Sequence, residues 1–291
     1  MAAHRISERA VTGFANASHY DEHRPSYPLD ALVRLMDAAA VSSLSGARIV
    51  DLAAGTGKLT ELLSARGEQF DIVAVEPHEG MREQLARKHL NNVTVKSGLS
   101  TAIPVEPESV DAVFAAQAFH WFANEASLKE IHRVLKPGSV LGLIWNAEDY
   151  NSPQSHPASS TWQSTIRDHL FSLDAVTNDH EPRFRHDQWR NVFENQVSST
   201  PITAAIAGGT NSLFSLPLGE EKVKWSVWLE KEALWSRLRT LGHVAVLEGE
   251  QLEATRRVFE SALSGDDVER NAKGEILVQG TTVLAWTSKI P

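Results

Sequence analysis

Apolar residues recur along the first half of this chain in two alternating rhythms. Leu29, Leu32, Val33, Leu35 and Met36 fall at helical spacing across residues 28–41, with Pro28 suited to a first turn. Short, nearly continuous apolar runs follow at Ile49–Leu52, Ile72–Val75, Val93–Lys96, Val110–Ala115 and Val140–Ile144. Such runs, without the alternation of a half-exposed strand, predict strands buried on both faces of a parallel sheet. Between them Glu61–Arg66, Gly80–Leu90 and Ala126–Val134 predict crossover helices, the last stopped by Lys136, Pro137 and Gly138. Repeated strand–helix units with right-handed connections predict an α/β doubly wound sheet.

The rhythm breaks after Asn146. Residues 147–212 are rich in Ser, Asn, His and Pro, with irregular helical segments near 158–173 and 186–194. Val223, Trp225, Val227 and Leu229 then alternate with polar residues across Lys222–Leu229, predicting a strand. Helices are expected near 231–241 and 248–263, and Glu275–Ser288 reads as two strand pieces broken at Gly280. The sheet is thus expected to be seven-stranded and mainly parallel, with strands six and seven separated from strand five by an insertion.

The strand ends carry the chemistry. Ile49-Val-Asp-Leu-Ala-Ala-Gly-Thr-Gly-Lys-Leu-Thr60 places a glycine turn after the first strand, and Ile72-Val-Ala-Val-Glu-Pro77 places a carboxylate after the second. In a parallel α/β sheet both open onto one crevice, where nucleotide-like ligands bind. Gly55 and Gly57 let backbone approach a ligand closely, and a carboxylate at position 76 can accept from both hydroxyls of a ribose. A phosphate-binding P-loop is excluded, since Leu52 stands at its first glycine and Leu59 at its hydroxyl position. The dinucleotide fingerprint fails at its third glycine, which is Thr60, and this disfavours a nicotinamide oxidoreductase. What remains is Asp51-x-Ala53-x-Gly55-x-Gly57.

That pattern resembles the first motif of the class I S-adenosylmethionine methyltransferases, with Ala53 in place of the first glycine. The resemblance runs over roughly residues 14–146 and uses four separate motifs. It implies S-adenosyl-L-methionine as cofactor and S-adenosyl-L-homocysteine as product. It also implies that Asp51, Ala53, Gly55, Thr56 and Gly57 form the loop at the methionine moiety, with Glu76 on the ribose. Met81 would lie near the adenine, in a helix that Pro77 helps to start. The third motif, Val95-Lys-Ser-Gly-Leu-Ser-Thr-Ala-Ile-Pro104, has Thr101 where related ubiquinone-type enzymes carry an acid. Adenine contacts there fall to Gly98, backbone at Leu99 and the hydroxyl of Ser100.

After the fourth strand, Ala115-Ala-Gln-Ala-Phe-His-Trp-Phe122 is similar to the subgroup containing trans-aconitate methyltransferases and other small-molecule enzymes. The Asn/Asp-Pro-Pro-Tyr/Phe motif of adenine and glutamine methylation is absent. The resemblance puts Gln117 and Ala118 beside the cofactor and His120 near the transferred methyl. There His120 either accepts a proton as a base, since histidine titrates near neutrality, or packs as a hydrogen-bonded residue under Trp121. The segment from Phe14 to Pro28 matches the subgroup's Tyr-x-x-x-Arg-Pro-x-Tyr-Pro signature through Tyr20, Arg24 and Tyr27. Tyr20 and Arg24 would hold a carboxylate of cofactor or substrate, arginine being suited to bidentate pairing. Tyr27, Asn146 and His243 complete the expected substrate contacts. The implied organisation is an N-terminal helical cap over the cofactor pocket (1–45), a cofactor-binding core (46–146), a lid or substrate insertion (147–212) and a part completing the sheet (213–291).

Composition narrows the partners. A net charge of −9 and a pI near 5.7, with no Lys/Arg run, argue against a nucleic-acid surface. Cysteine is absent, so neither a disulfide framework nor a thiol nucleophile is available. No apolar run reaches a membrane span, and the N-terminal residues lack the apolar core of a signal peptide, so a cytoplasmic location is expected. His156, His169, His180 and His186 lack metal-ligand spacing, and no metal is expected. The expected activity is methylation of a small molecule, a carboxylate or a secondary metabolite. The alternative is a catalytically silent cofactor-binding regulator or partner subunit.

Overall fold

The structure, a computed structural model, describes residues 24–176, 180–197 and 212–291. The elements run α1 (Leu29–Ala38), β1 (Arg48–Leu52), α2 (Lys58–Ser64), β2 (Asp71–Val75), α3 (Glu79–Ala86), β3 (Val93–Lys96) and β4 (Val110–Ala116). Then come α4 (Glu125–Val134), β5 (Leu135–Glu148), α5 (Thr161–Val176), α6 (Asn191–Val197) and β6 (Gly219–Leu229). The chain closes with α7 (Lys231–Leu238), α8 (Gly242–Ala245), α9 (Gly249–Ala262) and β7 (Ile276–Ser288). Seven strands form one sheet in the order β3-β2-β1-β4-β5-β7-β6, and the pairs β3/β2, β2/β1, β1/β4 and β4/β5 are parallel. The order reverses beside β1, which makes the carboxyl ends of β1 and β4 the topological switch point of the sheet.

Contacts divide the chain into two compact units. The larger comprises residues 26–145, 182–221 and 283–291, and the smaller residues 1–25, 146–181 and 222–282. In the larger unit β1 and β2 are buried from their second residue onward, in keeping with their largely apolar sequences. The first helix lays Ala31, Leu32, Leu35 and Met36 into the core and leaves Leu29 in solvent. Gly142 in β5 permits this close layering, because a Cβ there would lie 2.7 Å from the Phe114 ring and 3.1 Å from Leu35. In the smaller unit Tyr150, Trp162, Ile166 and Leu170 pack with Leu238, Leu241, Val244 and Phe259 in a separate apolar cluster. Asp267 accepts from the backbone N–H groups of Thr161 and Trp162, satisfying donors that the start of α5 leaves open.

Element existence follows the hydrophobic pattern, while several boundaries move. The predicted break at Gly280 is absent, for β7 runs through it. A Cβ there would meet Trp225 at 2.3 Å and the carbonyl of Ala147 at 2.8 Å, so this glycine serves close approach rather than a turn. The segment near 186–194 resolves into two 3-10 turns, Phe184–His186 and Gln188–Arg190, before α6. The expected helix at 231–241 ends at Leu238, and α8 follows separately. The third helix begins at Glu79 with His78 as its cap, so Pro77 precedes the cap instead of opening the helix.

Candidate functional site

The first strand delivers the chain into a turn of unusual backbone. Ala53, Gly55 and Gly57 have φ of 57°, 58° and 91°, all in the left-handed region. The two glycines take this conformation without steric cost, whereas Ala53 carries about 1–2 kcal/mol of strain. Gly57 also faces Leu85 of α3, and a Cβ would lie 2.2 Å from its Cδ1. The turn is tied down by Ala54 N–H to the carbonyl of Val75 (3.1 Å) and Gly57 N–H to that of Ala54 (2.9 Å).

Asp51 is wholly buried beneath this turn. Thr60 Oγ1 donates to its Oδ2 at 2.5 Å, and its Oδ1 has no donor. Burial raises its pKa to about 7, against the pull of the Thr60 hydroxyl, and the nearby charge of Glu76 adds to the rise. Asp51 therefore braces α2 against β1. Thr60, set aside in the sequence as a missing glycine, is its partner.

Glu76 ends β2 and is 5% exposed. Its Oε2 accepts from Gly55 N–H at 2.8 Å and its Oε1 from His78 N–H at 2.7 Å. Burial raises its pKa, and the two backbone donors partly offset this. Each oxygen keeps a second lone pair, so the carboxylate can take two further donors at the spacing of a vicinal diol. That donor set fits the ribose of an adenosine cofactor. Met81 is buried, its sulfur 3.8 Å from where a Cβ on Gly55 would stand, and thus packs against the turn.

The loop after β3 is held by a clamp that the sequence reading missed. Ile103 N–H donates to Glu130 Oε1 (2.7 Å), while Arg133 donates to the carbonyls of Ile103 (3.0 Å) and Val105 (3.1 Å). Glu130 and Arg133 also pair with each other, so in the sequence they look like an ordinary helix-surface pair. Gly98 is required here by space, since a Cβ would lie 2.8 Å from both Pro104 Cδ and Val75 Cγ1. Leu99 forms a bridge with Ala102, and the Ser100 hydroxyl bonds that of Ser127 at 2.9 Å.

Beyond β4, Gln117 adopts φ 55° and its N–H donates to the carbonyl of Ile144, which turns the chain toward buried Ala118 and Phe119. His120 follows in a 3-10 turn. Its Nδ1 accepts from the indole N–H of Trp145 at 3.2 Å, so neutral His120 carries its proton on Nε2 and acts as a donor there. Trp121 lies beside the ring at 5.2 Å between centroids. Trp145 is itself stacked on Phe184 and packed on Trp189.

The larger unit contains Asp51, Ala53, Gly55, Thr56, Gly57, Glu76, Pro77, Met81, Gly98, Leu99, Ser100, Gln117, Ala118 and His120, as well as Tyr27, which is buried just before α1. Arg24, Asn146 and His243 belong to the smaller unit. There Arg24 donates to the carbonyl of Thr240 (3.3 Å), Asn146 accepts from Thr282 Oγ1 (2.6 Å) and His243 is buried in α8. Tyr20 lies outside the described residues. Among the described residues no group of three metal-ligating side chains occurs, and no helix is long and apolar enough to cross a membrane.

A glycine turn at the switch point and a carboxylate-tipped neighbouring strand form an edge of the kind at which α/β sheets take nucleotide-like ligands. Residues 50–143 match the family model described as a methyltransferase domain. Over 138 residues the chain is 43% identical to an uncharacterized methyltransferase-like protein of Schizosaccharomyces pombe, covering 47% of this chain and 52% of that protein. An uncharacterized methyltransferase of Mycobacterium bovis is 45% identical over 130 residues, 45% of this chain and 50% of its own. The chain spans about half the length of these curated relatives. A solved structure from Anaeromyxobacter dehalogenans, assigned as a candidate type II methyltransferase, shares the fold with a TM-score of 0.59. It is 19% identical and covers 92% of this chain and 99% of its own. Residues 50–143 and the matched stretches of these relatives thus make this part of the chain similar to methyltransferases, and the solved structure shares its fold.

Proposed function

We propose that this protein transfers the methyl group of S-adenosylmethionine to a small organic molecule. The carrying observation is Glu76, a buried carboxylate that holds Gly55 N–H and retains acceptor capacity for both ribose hydroxyls. Gly55, Thr56 and Gly57 would receive the methionine moiety, and the loop of Gly98 to Ser100, held by Arg133, would border the adenine. The cofactor supplies an activated methyl, which leaves this chain to bind, orient and exclude water.

His120 has a defined part in this reading. With Trp145 donating to Nδ1, neutral His120 carries its proton on Nε2 and has no lone pair with which to take one from the acceptor. That suits an acceptor already ionised at its nucleophilic atom, as a carboxylate is, better than a phenol or alcohol that must lose a proton.

Calorimetric titration with S-adenosylhomocysteine tests the proposal, with Glu76→Gln alongside. Micromolar binding is expected, weakened about 100-fold in the variant, as loss of two hydrogen bonds to a charged group implies. No binding by ligand-free wild-type protein would overturn the reading.

A further inference from the structure

Residues 222–230, in the smaller unit, form most of one edge of the sheet. β6 stands last in the strand order, beside β7. Among the described residues no backbone hydrogen bond from outside the sheet reaches residues 222–229. The far side of the strand therefore presents open N–H and C=O groups, the template on which a further strand pairs. β6 is eleven residues long, against about 5–6 for an average strand. Short length and proline commonly blunt such an edge, and β6 has neither. It carries charge instead, and that charge is of both signs.

Alternation sorts its side chains. Val227 and Leu229 pack against the apolar cluster that contains Tyr150 and Trp162, and Trp225 lies against Gly280. Lys222, Lys224, Ser226 and Trp228 belong to the other face and are exposed. Glu230, also exposed, follows the strand in extended conformation. A single exposed tryptophan carries no message by itself, but Trp228, 40% exposed, has a place in a row. Every second residue from 222 to 230 reads cation, cation, serine, aromatic, anion. The second half of that row is the chemical complement of the first.

We propose that β6 is the seam of a symmetric dimer, pairing antiparallel with β6 of a second copy of this chain about Ser226. A two-fold axis there sets Lys222 of each copy opposite Glu230 of the other, and Lys224 opposite Trp228. The first pairing is ionic and the second lays an ammonium against an indole, both attractive between cross-strand neighbours. Lys222 already donates to His156 Nε2 at 2.9 Å, and its ammonium keeps two further N–H groups for the carboxylate. On the inner face the same register sets Val223 opposite Leu229 and Trp225 opposite Val227, apolar against apolar. Sliding one copy by two residues in one direction sets Glu220 against Glu230. In the other direction it takes Lys222 beyond the strand and Trp228 off Lys224. One register is thus singled out by its side chains.

Sedimentation equilibrium of the full chain across micromolar concentrations tests the proposal, and a monomer–dimer equilibrium is expected. Lys222→Glu and Glu230→Lys should each weaken the dimer about tenfold, since each turns two opposite-charge pairs into like-charge pairs. An equimolar mixture of these two variants should recover the wild-type association, because lysine again faces glutamate at both positions. Trp228→Ala should also weaken the dimer about tenfold. Its side chain is exposed, so it carries the test should either charge variant fail to fold. A monomer at every concentration would overturn the proposal and leave this edge to a different partner or to solvent. A dimer indifferent to all three changes would place the interface elsewhere and overturn it too. So would charge variants that weaken the dimer singly without recovering on mixing, since the register would then be wrong.

Discussion

Replacing Asp51 by asparagine should change how the stability of this protein depends on pH. In the folded chain the carboxyl titrates near 7 rather than at its ordinary 3.8, chiefly because it is buried. A group whose folded pKa lies above its unfolded one stabilises the fold fully at pH values below the unfolded pKa. That contribution is lost as pH rises through the folded pKa. The difference corresponds to about 4 kcal/mol in all, or about 1.4 kcal/mol per pH unit between about pH 4 and pH 7. The substituted amide would stay neutral throughout and keep a carbonyl oxygen for the Thr60 hydroxyl, now 2.5 Å from Oδ2. Urea unfolding of both proteins at about pH 5 and about pH 6.5 isolates the term, since other titrating groups are shared. The wild type should lose about 2 kcal/mol relative to the variant over that interval. Parallel stability curves would refute the reasoning and place Asp51 in a far more solvated setting than its burial implies. A further arm uses Glu76→Gln, which removes a neighbouring negative charge and should bring the titration of Asp51 down.

Two other outcomes follow from close contacts. Gly57→Ala should destabilise the fold by about 2–3 kcal/mol, from a left-handed φ and the 2.2 Å approach of Leu85 Cδ1. Combining it with Leu85→Ala should cost less than the sum of the two changes, and strict additivity in urea unfolding would count against the contact. Trp145→Phe should release His120 Nδ1, and nitrogen NMR should show the ring passing from the Nε2–H form to a tautomer mixture. An unchanged imidazole spectrum would remove Trp145 from the role assigned to it.

The parts of this structure legible in the sequence are those set by local rules. Apolar runs announce β1, β2 and β4 because burial on both faces leaves few positions for a polar side chain, Asp51 in β1 and Asp111 at the start of β4 being the exceptions. Gly55, Gly57 and Glu76 are readable because backbone freedom and a strand-end carboxylate each belong to one residue type. The bonds between elements were less visible. Thr60 under Asp51, and Arg133 across the 103–105 loop, are polar residues on helices that sequence alone assigns to solvent or to a neighbour one turn away. The Trp145 indole stacks on Phe184, and its N–H also fixes the proton of neutral His120, a bond that no local pattern announces. Gly280 misled for a related reason, since a glycine that admits a tryptophan looks the same in sequence as one that makes a turn.

The length of β5 makes it a ruler. Over fourteen residues it passes from the pairing with β4 to Trp145, Asn146 and Glu148 without interruption. Alternation sends Trp145 to one face and Asn146 and Glu148 to the other. The tryptophan thus meets His120, while the amide meets Thr282 and the carboxylate meets Arg237. Phase along this one strand is therefore a shared coordinate for all three groups. A single residue inserted between Val140 and Ile144 would exchange the two faces, bringing Ile144 to the place of the indole and turning the amide and the carboxylate to the face that Trp145 now occupies. Such a change would spare composition and the glycine turn, yet it would miswire every contact downstream of it at once.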